Sequence, residues 1–265
     1  VFEDMVAYQE EVLHPSRIAE VLNRVILQAK RASAPAQINV PRDFWTQVIE
    51  IELPVIVDFE RPAGGAEAIA RAAELLSGAK FPVILNGGGV VIGGAIEDSK
   101  ALAERLDAPV CCGYQHNDAF PASHPLSTGA LGYNGSKAAM ELISRADVVL
   151  ALGTRLNPFS TLPGYGLDYW PEKAAVIQVD INPNRIGLTK KLAVGIVGDA
   201  RKVATAILGQ LSATAGDAGR EERKATVAKI KADWAAQLAT MDHEADDPGT
   251  TWNERAQKAD PDKVT

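Results

Sequence analysis

The sequence predicts an α/β protein built on a doubly wound, mostly parallel sheet, and three observations carry that expectation. First, the apolar runs at 82–86, 109–112, 148–152, 176–179 and 195–197 are short and lack polar alternation, as strands buried on both faces should be. Second, helical patterns at 66–77, 94–106, 135–145 and 200–211 separate or follow those runs. Third, PVILNGGGVVIGGA (82–95) reads as a strand entering a glycine-rich turn and then a helix. Together they give a Rossmann-like domain over residues 66–212.

The elements before that domain read as the tail of another α/β domain. Ser16 followed by Ile18, Val21, Leu22, Val25, Ile26 and Ala29 predicts a capped helix with apolar residues at helical spacing. A strand over 36–40 follows, stopped by Pro41. One helix and one strand cannot cover each other's apolar faces, and the chain starts at Val1, so residues 1–45 read as the end of a domain begun elsewhere. Residues 46–65, with Pro54, Pro62, Gly64 and Gly65, read as a linker. In the main domain, Ile69, Ala73 and Leu76 mark one side of the first helix, and Ala95, Leu102 and Leu106 one side of the second. Beyond it, 213–219 reads as a flexible joint, and Val227, Ile230, Trp234, Leu238 and Met241 form an apolar stripe that needs a partner surface. Residues 213–265 as a whole read as linker and helix leading toward a further domain, with a polar, acidic last stretch.

Composition narrows the partners. Of 265 residues 46% are hydrophobic, enough for a sizeable core, and the net charge of -7 leaves no basic block to neutralise phosphates. Small-molecule partners are expected, with no nucleic acid and no membrane. The apolar runs are too short for a membrane span and the N-terminus has no signal-peptide pattern, so the expected location is cytoplasmic. Cys111 and Cys112 are adjacent, which suits buried strand thiols and neither a disulfide framework nor a CxxC site.

In an open α/β sheet, ligands sit beyond the carboxyl ends of the strands. The loop after the first strand supplies Gly87, Gly88 and Gly89, yet GxGxxG fails at Ile92, and the P-loop pattern fails where Gly94 and Ala95 replace Lys and Ser/Thr. Either the turn merely needs residues without side chains or it touches a ligand. In the next loop His116, Asp118 and His124 match no metal spacing, and a local hydrogen-bonding role is preferred. Arg155, two residues after Gly153, either grips a phosphate or sulfonate or pairs with a surface carboxylate. Asp180 ends a strand and is placed to accept from ribose hydroxyls, whereas Asp199 is either a helix N-cap or a ligand contact. Ser127, Thr128, Ser160 and Thr161 have no histidine partner in view, so no nucleophilic triad emerges.

Read together, PVILNGGGV, APVCCGYQHNDAFPASHPL, GALGYNGSKAAM, DVVLALGTRLNPF, VIQVDINPNRIG and IVGDA resemble the central domain of thiamine-diphosphate-dependent enzymes of the acetolactate synthase type. PAQINVPRDFW is similar to the end of that family's pyrimidine-binding domain, so the resemblance covers residues 1–212 in order. Within the family, YQHNDAFPASHP and GTRLNPFSTLPGYGLDYWP look most like the sulfoacetaldehyde acetyltransferase branch.

The resemblance implies an acyltransferase that turns sulfoacetaldehyde and phosphate into acetyl phosphate and sulfite, with thiamine diphosphate and Mg²⁺ in the full-length enzyme and a homodimeric or homotetrameric assembly. It implies that Gly87, Gly88, Gly89, Gly153, Arg155, Asp180, Ile181 and Asp199 line a cleft that holds FAD or ADP in some members; here an empty, structural cleft is favoured. Arg42 falls where relatives place a lysine near the active-site entrance and is the expected anion-holding residue. Acetolactate synthases read R-F-D-D-R where this chain has Arg155-Leu156-Asn157-Pro158-Phe159, so the arginine associated with the keto-acid carboxylate is replaced by Phe159. The activating glutamate and the GDG…NN metal motif are absent; Gly216-Asp217-Ala218-Gly219 lacks the following Asn pair and reads as linker. The chain by itself is therefore expected to be inactive and to bind thiamine diphosphate weakly. The alternatives are a fragment of an acetolactate synthase or related carboligase or decarboxylase, and a non-catalytic nucleotide-binding scaffold.

Overall fold

The computed structural model describes residues 2–55 and 59–241 and divides into two units, Val1–Arg61 and Pro62–Thr265. In the first unit, strand β1 (Tyr8–Glu11) pairs in parallel with β2 (Ala36–Asn39), in the register Tyr8 to Ala36, and helix α1 (Ile18–Ala32) makes the crossover. β1 escapes sequence analysis because YQEE carries three polar residues in four. Ser16 is not the cap of α1. It lies in a 3₁₀ turn, Pro15–Arg17, whose N-cap is His14; α1 starts only at Ile18, after Arg17, which makes no side-chain capping bond. Pro15 explains the shift, since its fixed φ suits the first turn of the 3₁₀ segment. The predicted stripe divides: Val21 and Val25 bury against Val12, whereas Leu22 and Ile26 remain 44% and 47% exposed.

The second unit holds a six-stranded, all-parallel sheet in the order β5-β4-β3-β6-β7-β8. Its strands are β3 (Pro82–Asn86), β4 (Val110–Cys112), β5 (Ser127–Ala130), β6 (Val148–Leu152), β7 (Ala175–Asp180) and β8 (Val194–Val197). The chain starts in the middle, winds outward through β4 and β5, and returns to β6 beside β3 before winding the other way. That reversal makes the β3/β6 junction the topological switch point. β5 is missed by the apolar-run criterion because STGA is an edge strand of small residues, fixed by Thr128 Oγ1 donating to Val110 O (2.9 Å).

Alternate strand residues feed two cores, as a period of two requires. Ile84, Val110, Leu150 and Ile177 pack under helices α2 (Ala66–Gly78), α4 (Ile96–Leu106) and α6 (Ala200–Gln210), while Val83, Leu85, Val149 and Val176 pack under α5 (Lys137–Ile143). Cys111 and Cys112 accordingly belong to opposite faces. The expected 94–106 helix is found as α4, starting at Ile96, and a further short helix precedes it. A one-turn helix α3 (Gly88–Ile92) follows β3, then Gly93 and Gly94 break the helix before α4, with Gly94 at φ 64°.

Two connectors are more ordered than their composition predicts. The last residues of the 46–65 stretch belong to the sheet unit: Ala63 bridges Gly198, and Asp199 N donates to Pro62 O (2.8 Å). Residues 213–219 are not a flexible joint, because Ala215 is fully buried and Arg105 donates to the carbonyls of Ser212, Ala213 and Ala215. The stripe on α7 (Arg220–Met241) finds its partner in α5: Val227 and Ile230 pack on Ala138 and Leu142, and Trp234 meets Tyr165 edge to face. Leu238 departs from the stripe at 45% exposed, while Gln237 accepts from Lys137 Nζ (3.4 Å). The side chain of Met241 and the acidic stretch 242–265 lie outside the described residues. No described helix is long and apolar enough to cross a membrane.

Candidate functional site at the sheet switch point

The loops after β3 and β6 meet at the switch point by backbone contact. Gly87 N donates to Leu152 O (3.0 Å), Gly89 N to Gly153 O (2.8 Å), and Gly153 N to Val179 O (2.9 Å). A Cβ on Gly87 would lie 2.5 Å from Thr154 Cβ, one on Gly89 2.7 Å from Gly153 Cα, and one on Gly153 2.7 Å from Val90 N. Such distances are closed to any side chain, and Gly153 also has φ 61°. Gly88 faces the loop after β4, where a Cβ would meet the His116 ring at 2.5 Å.

These contacts test the fit of a nucleotide phosphate. A phosphate cradle needs several free N–H groups converging on one point. Here Gly87, Gly89 and Val90 already donate to protein carbonyls, and Thr154, Gly153 and His116 occupy the space beside the glycines. The turn does not fit a phosphate in this arrangement. Among the described residues no group of three His, Cys, Asp or Glu side chains converges. Asp217, within the sequence that resembles a metal motif, instead pairs with Arg220 (3.2 Å).

Asp180, Ile181, Asp199 and Arg155 lie at or follow the carboxyl ends of strands of the same sheet. Asp180 is buried and its Oδ1 accepts from Asn182 N (2.8 Å), with Ile181 partly exposed beside it. Asp199 is the N-cap of α6, accepting from Arg201 N (3.1 Å) and Lys202 N (3.2 Å). Arg155 is exposed next to Leu156, a buried residue held at φ 52°. Arg42 is exposed in a 3₁₀ turn of the first unit, Arg42–Thr46. His124 has the expected local role, accepting from Leu126 N through Nδ1 (3.2 Å) and approaching Glu104 through Nε2 (3.2 Å). Burial pushes the Cys111 and Cys112 thiols up to about 12, which keeps both protonated and inert at neutral pH.

Three features of the edge were not singled out from sequence. Asn86, fully buried, binds Ser99 Oγ (2.8 Å) and Ala119 O (2.9 Å) through Nδ2, tying β3 to α4 and to the loop after β4. Gln178 donates to Thr154 O (3.1 Å) and Arg185 O (3.0 Å) and accepts from Gly187 N (2.8 Å), joining the loops after β6 and β7. The signal for both was present: an amide at the end of the apolar strand PVILN and another within the mostly apolar AVIQVD. The third is an aromatic group from three loops, Tyr114, Tyr133 and Phe159, with ring centroids 5.1 Å apart for Tyr114–Phe159 and 5.8 Å for Tyr133–Phe159. Phe159 is 46% exposed, so the group forms part of the protein surface.

Comparison with known proteins gives consistent matches. Residues 69–207 match the family model "Thiamine pyrophosphate enzyme, central domain". The chain is 76% identical over 261 residues to a sulfoacetaldehyde acetyltransferase of Roseovarius nubinhibens, covering 98% of this chain and 43% of that protein. It is 72% identical over 265 residues to a probable sulfoacetaldehyde acetyltransferase of Rhizobium meliloti, covering 100% of this chain and 45% of the relative. Among solved structures, benzoylformate decarboxylase from Polynucleobacter necessarius aligns with a TM-score of 0.65 at 25% identity, over 79% of this chain and 39% of that one. The chain thus spans less than half the length of the curated relatives it matches.

Proposed function

Because the chain belongs to the thiamine pyrophosphate enzyme family through its central domain, we propose that it is the central part of an enzyme converting sulfoacetaldehyde and phosphate to acetyl phosphate and sulfite. The single observation that carries this reading is the 76% identity to a sulfoacetaldehyde acetyltransferase over 98% of the chain. Phe159 supports it locally. Its ring packs against Tyr114 at the position where acetolactate synthases place a carboxylate-binding arginine, and a phenyl group cannot form that ion pair.

The overall reaction is redox-balanced within one substrate. The C–S bond breaks and its carbon becomes a methyl group, while the aldehyde carbon becomes an acyl group bonded to a phosphate oxygen. Thiamine diphosphate, when bound, supplies the carbanion chemistry that this exchange needs. The residues described here do not supply its diphosphate site, so the contribution of this segment is architectural: the β3/β6 junction fixes the loops that carry Arg155 and Phe159.

In the same reading, Gly87, Gly88, Gly89, Gly153, Asp180 and Asp199 act as architecture and not as an FAD or ADP site, and Arg42 holds the sulfonate or phosphate. The enzyme is a cytoplasmic homodimer or homotetramer. The test is an assay of the full-length protein with sulfoacetaldehyde, phosphate, thiamine diphosphate and Mg²⁺, reading acetyl phosphate and sulfite together. Equal release of both is the expected result. Acetolactate formation from pyruvate, with no sulfite release, would overturn the reading.

A further inference from the structure

Arg223 has the largest side chain among the fully buried residues, at 1% exposed, and it touches no carboxylate. Its guanidinium lies one turn into α7 and is spent on backbone carbonyls. Nε donates to Asp107 O (3.0 Å), Nη1 to Ala218 O (2.8 Å) and Lys80 O, and Nη2 to Leu106 O (2.8 Å) and Gly216 O (2.6 Å). All five donors of the fork are engaged. Leu106 O and Asp107 O belong to the end of α4, where carbonyls have no intrahelical partner and the helix dipole favours a cation.

A second arginine completes the arrangement from the other side. Arg105, in the last turn of α4, donates to Ser212 O (2.6 Å), Ala213 O (2.7 Å) and Ala215 O. The connector between them fits tightly: a Cβ on Gly216, at φ 82°, would sit 2.9 Å from Arg105 O, and one on Gly219, at φ 65°, 3.1 Å from Lys80 O. The Asp107 carboxylate adds an ion pair to Arg220 (2.9 Å), close to the buried cation.

We propose that Arg105 and Arg223 form a two-guanidinium clasp that turns residues 212–219 into a fixed elbow and holds α7 in one direction along α5. The inference is independent of the catalytic reading, because none of these residues lies at the sheet's carboxyl edge. Burying a charged group is costly even with the Asp107 and Asp147 carboxylates near enough to act on it, and losing the guanidinium would strand up to four carbonyls, since Gly216 O also accepts from Arg220 Nε. Ammonium cannot replace it, since Lys has three donors on a point charge and no planar fork.

Hydrogen exchange on the full chain tests this with Arg223→Ala, Arg223→Lys and Arg105→Ala. Arg223→Ala is expected to accelerate amide exchange in 212–230 by at least about tenfold while β3, β6 and β7 keep their protection. Arg223→Lys should behave like the alanine variant, and low millimolar guanidinium, but not ammonium, should restore protection to Arg223→Ala. Arg105→Ala keeps the test open if the Arg223 variants do not fold, because Arg105 is only partly buried; loosening confined to 212–219 is expected. Unchanged exchange across 212–224 in the variants that fold, or loss spread evenly over the sheet strands, would overturn the proposal.

Discussion

Gly153→Ala tests whether the glycines of the switch point serve the protein itself. The new Cβ would meet Gly89 C and Val90 N at 2.7 Å, and the residue is held at φ 61°. A left-handed conformation costs a side-chain-bearing residue about 1–2 kcal/mol. Forcing a methyl group between two backbones adds roughly 1–3 kcal/mol, so the expected loss is about 2–5 kcal/mol. Two other glycines separate these causes. Gly94 has φ 64° with nothing within 4 Å of its missing Cβ, so Gly94→Ala should lose only the conformational part, about 1–2 kcal/mol. Gly78 ends α2 in open space with no positive φ, so alanine there should be neutral or gain up to about 1 kcal/mol. Urea unfolding followed by circular dichroism reads all three, and with a slope of about 2 kcal/mol/M the Gly153 variant should shift its midpoint by roughly 1–2.5 M. If Gly153→Ala costs no more than Gly94→Ala, the two loops are not in contact, and the case for an architectural turn collapses.

Three further outcomes are expected. Glu10 and Glu20 are each drawn from 4.5 to about 2, Glu10 chiefly by its hydrogen bond from Arg24 and Glu20 chiefly by that from Arg17. Because these values are lowered by folding, their stabilising effect is complete above about pH 4.5 and is lost as pH falls through about 2; a thermal midpoint for the first unit that stays flat between pH 5 and 2 would count against the ion pairs. Both cysteines should resist a thiol reagent in the native protein and react with two equivalents in denaturant, whereas rapid native labelling would contradict their burial. Asp199→Ala should cost about 0.5–2 kcal/mol of stability as a lost N-cap, with Asp199→Asn retaining most of it; an unaltered unfolding midpoint for the alanine variant would argue for a ligand contact instead.

The strands and helices of the second unit were legible because burial on both faces leaves uninterrupted apolar runs, as in VVLAL at β6. Elements without that pressure were invisible. β5 is an edge strand of small residues, β1 is charged, and α3 has a sequence, GGVVI, that suits a turn as well as a helix. The connector 213–219 misled for a related reason. Its small polar residues signal freedom, while the order comes from arginines over a hundred residues earlier in the chain or just beyond its end. Sequence periodicity reports what a segment buries of itself, not which distant guanidinium binds its carbonyls.

The same distinction explains why the glycine turn looked like a phosphate site. A glycine run after a strand means only that something approaches the backbone closely, and a phosphate and a neighbouring loop leave the same mark in sequence. Which one is present depends on where the N–H groups point. Here Gly87 and Gly89 donate to carbonyls of the β6 strand and its loop, and Gly153 donates in turn to β7, so three strands are joined in series across the switch point. Gln178 then continues the series to the loop after β7 through its three hydrogen bonds. Displacing any one loop breaks bonds in the next, so the loops that carry Arg155 and Phe159 are held by the edge as a whole. A ligand that took the Gly89 N–H would have to break its bond to Gly153 O, and with it a contact between the loop after β3 and the loop that carries Arg155.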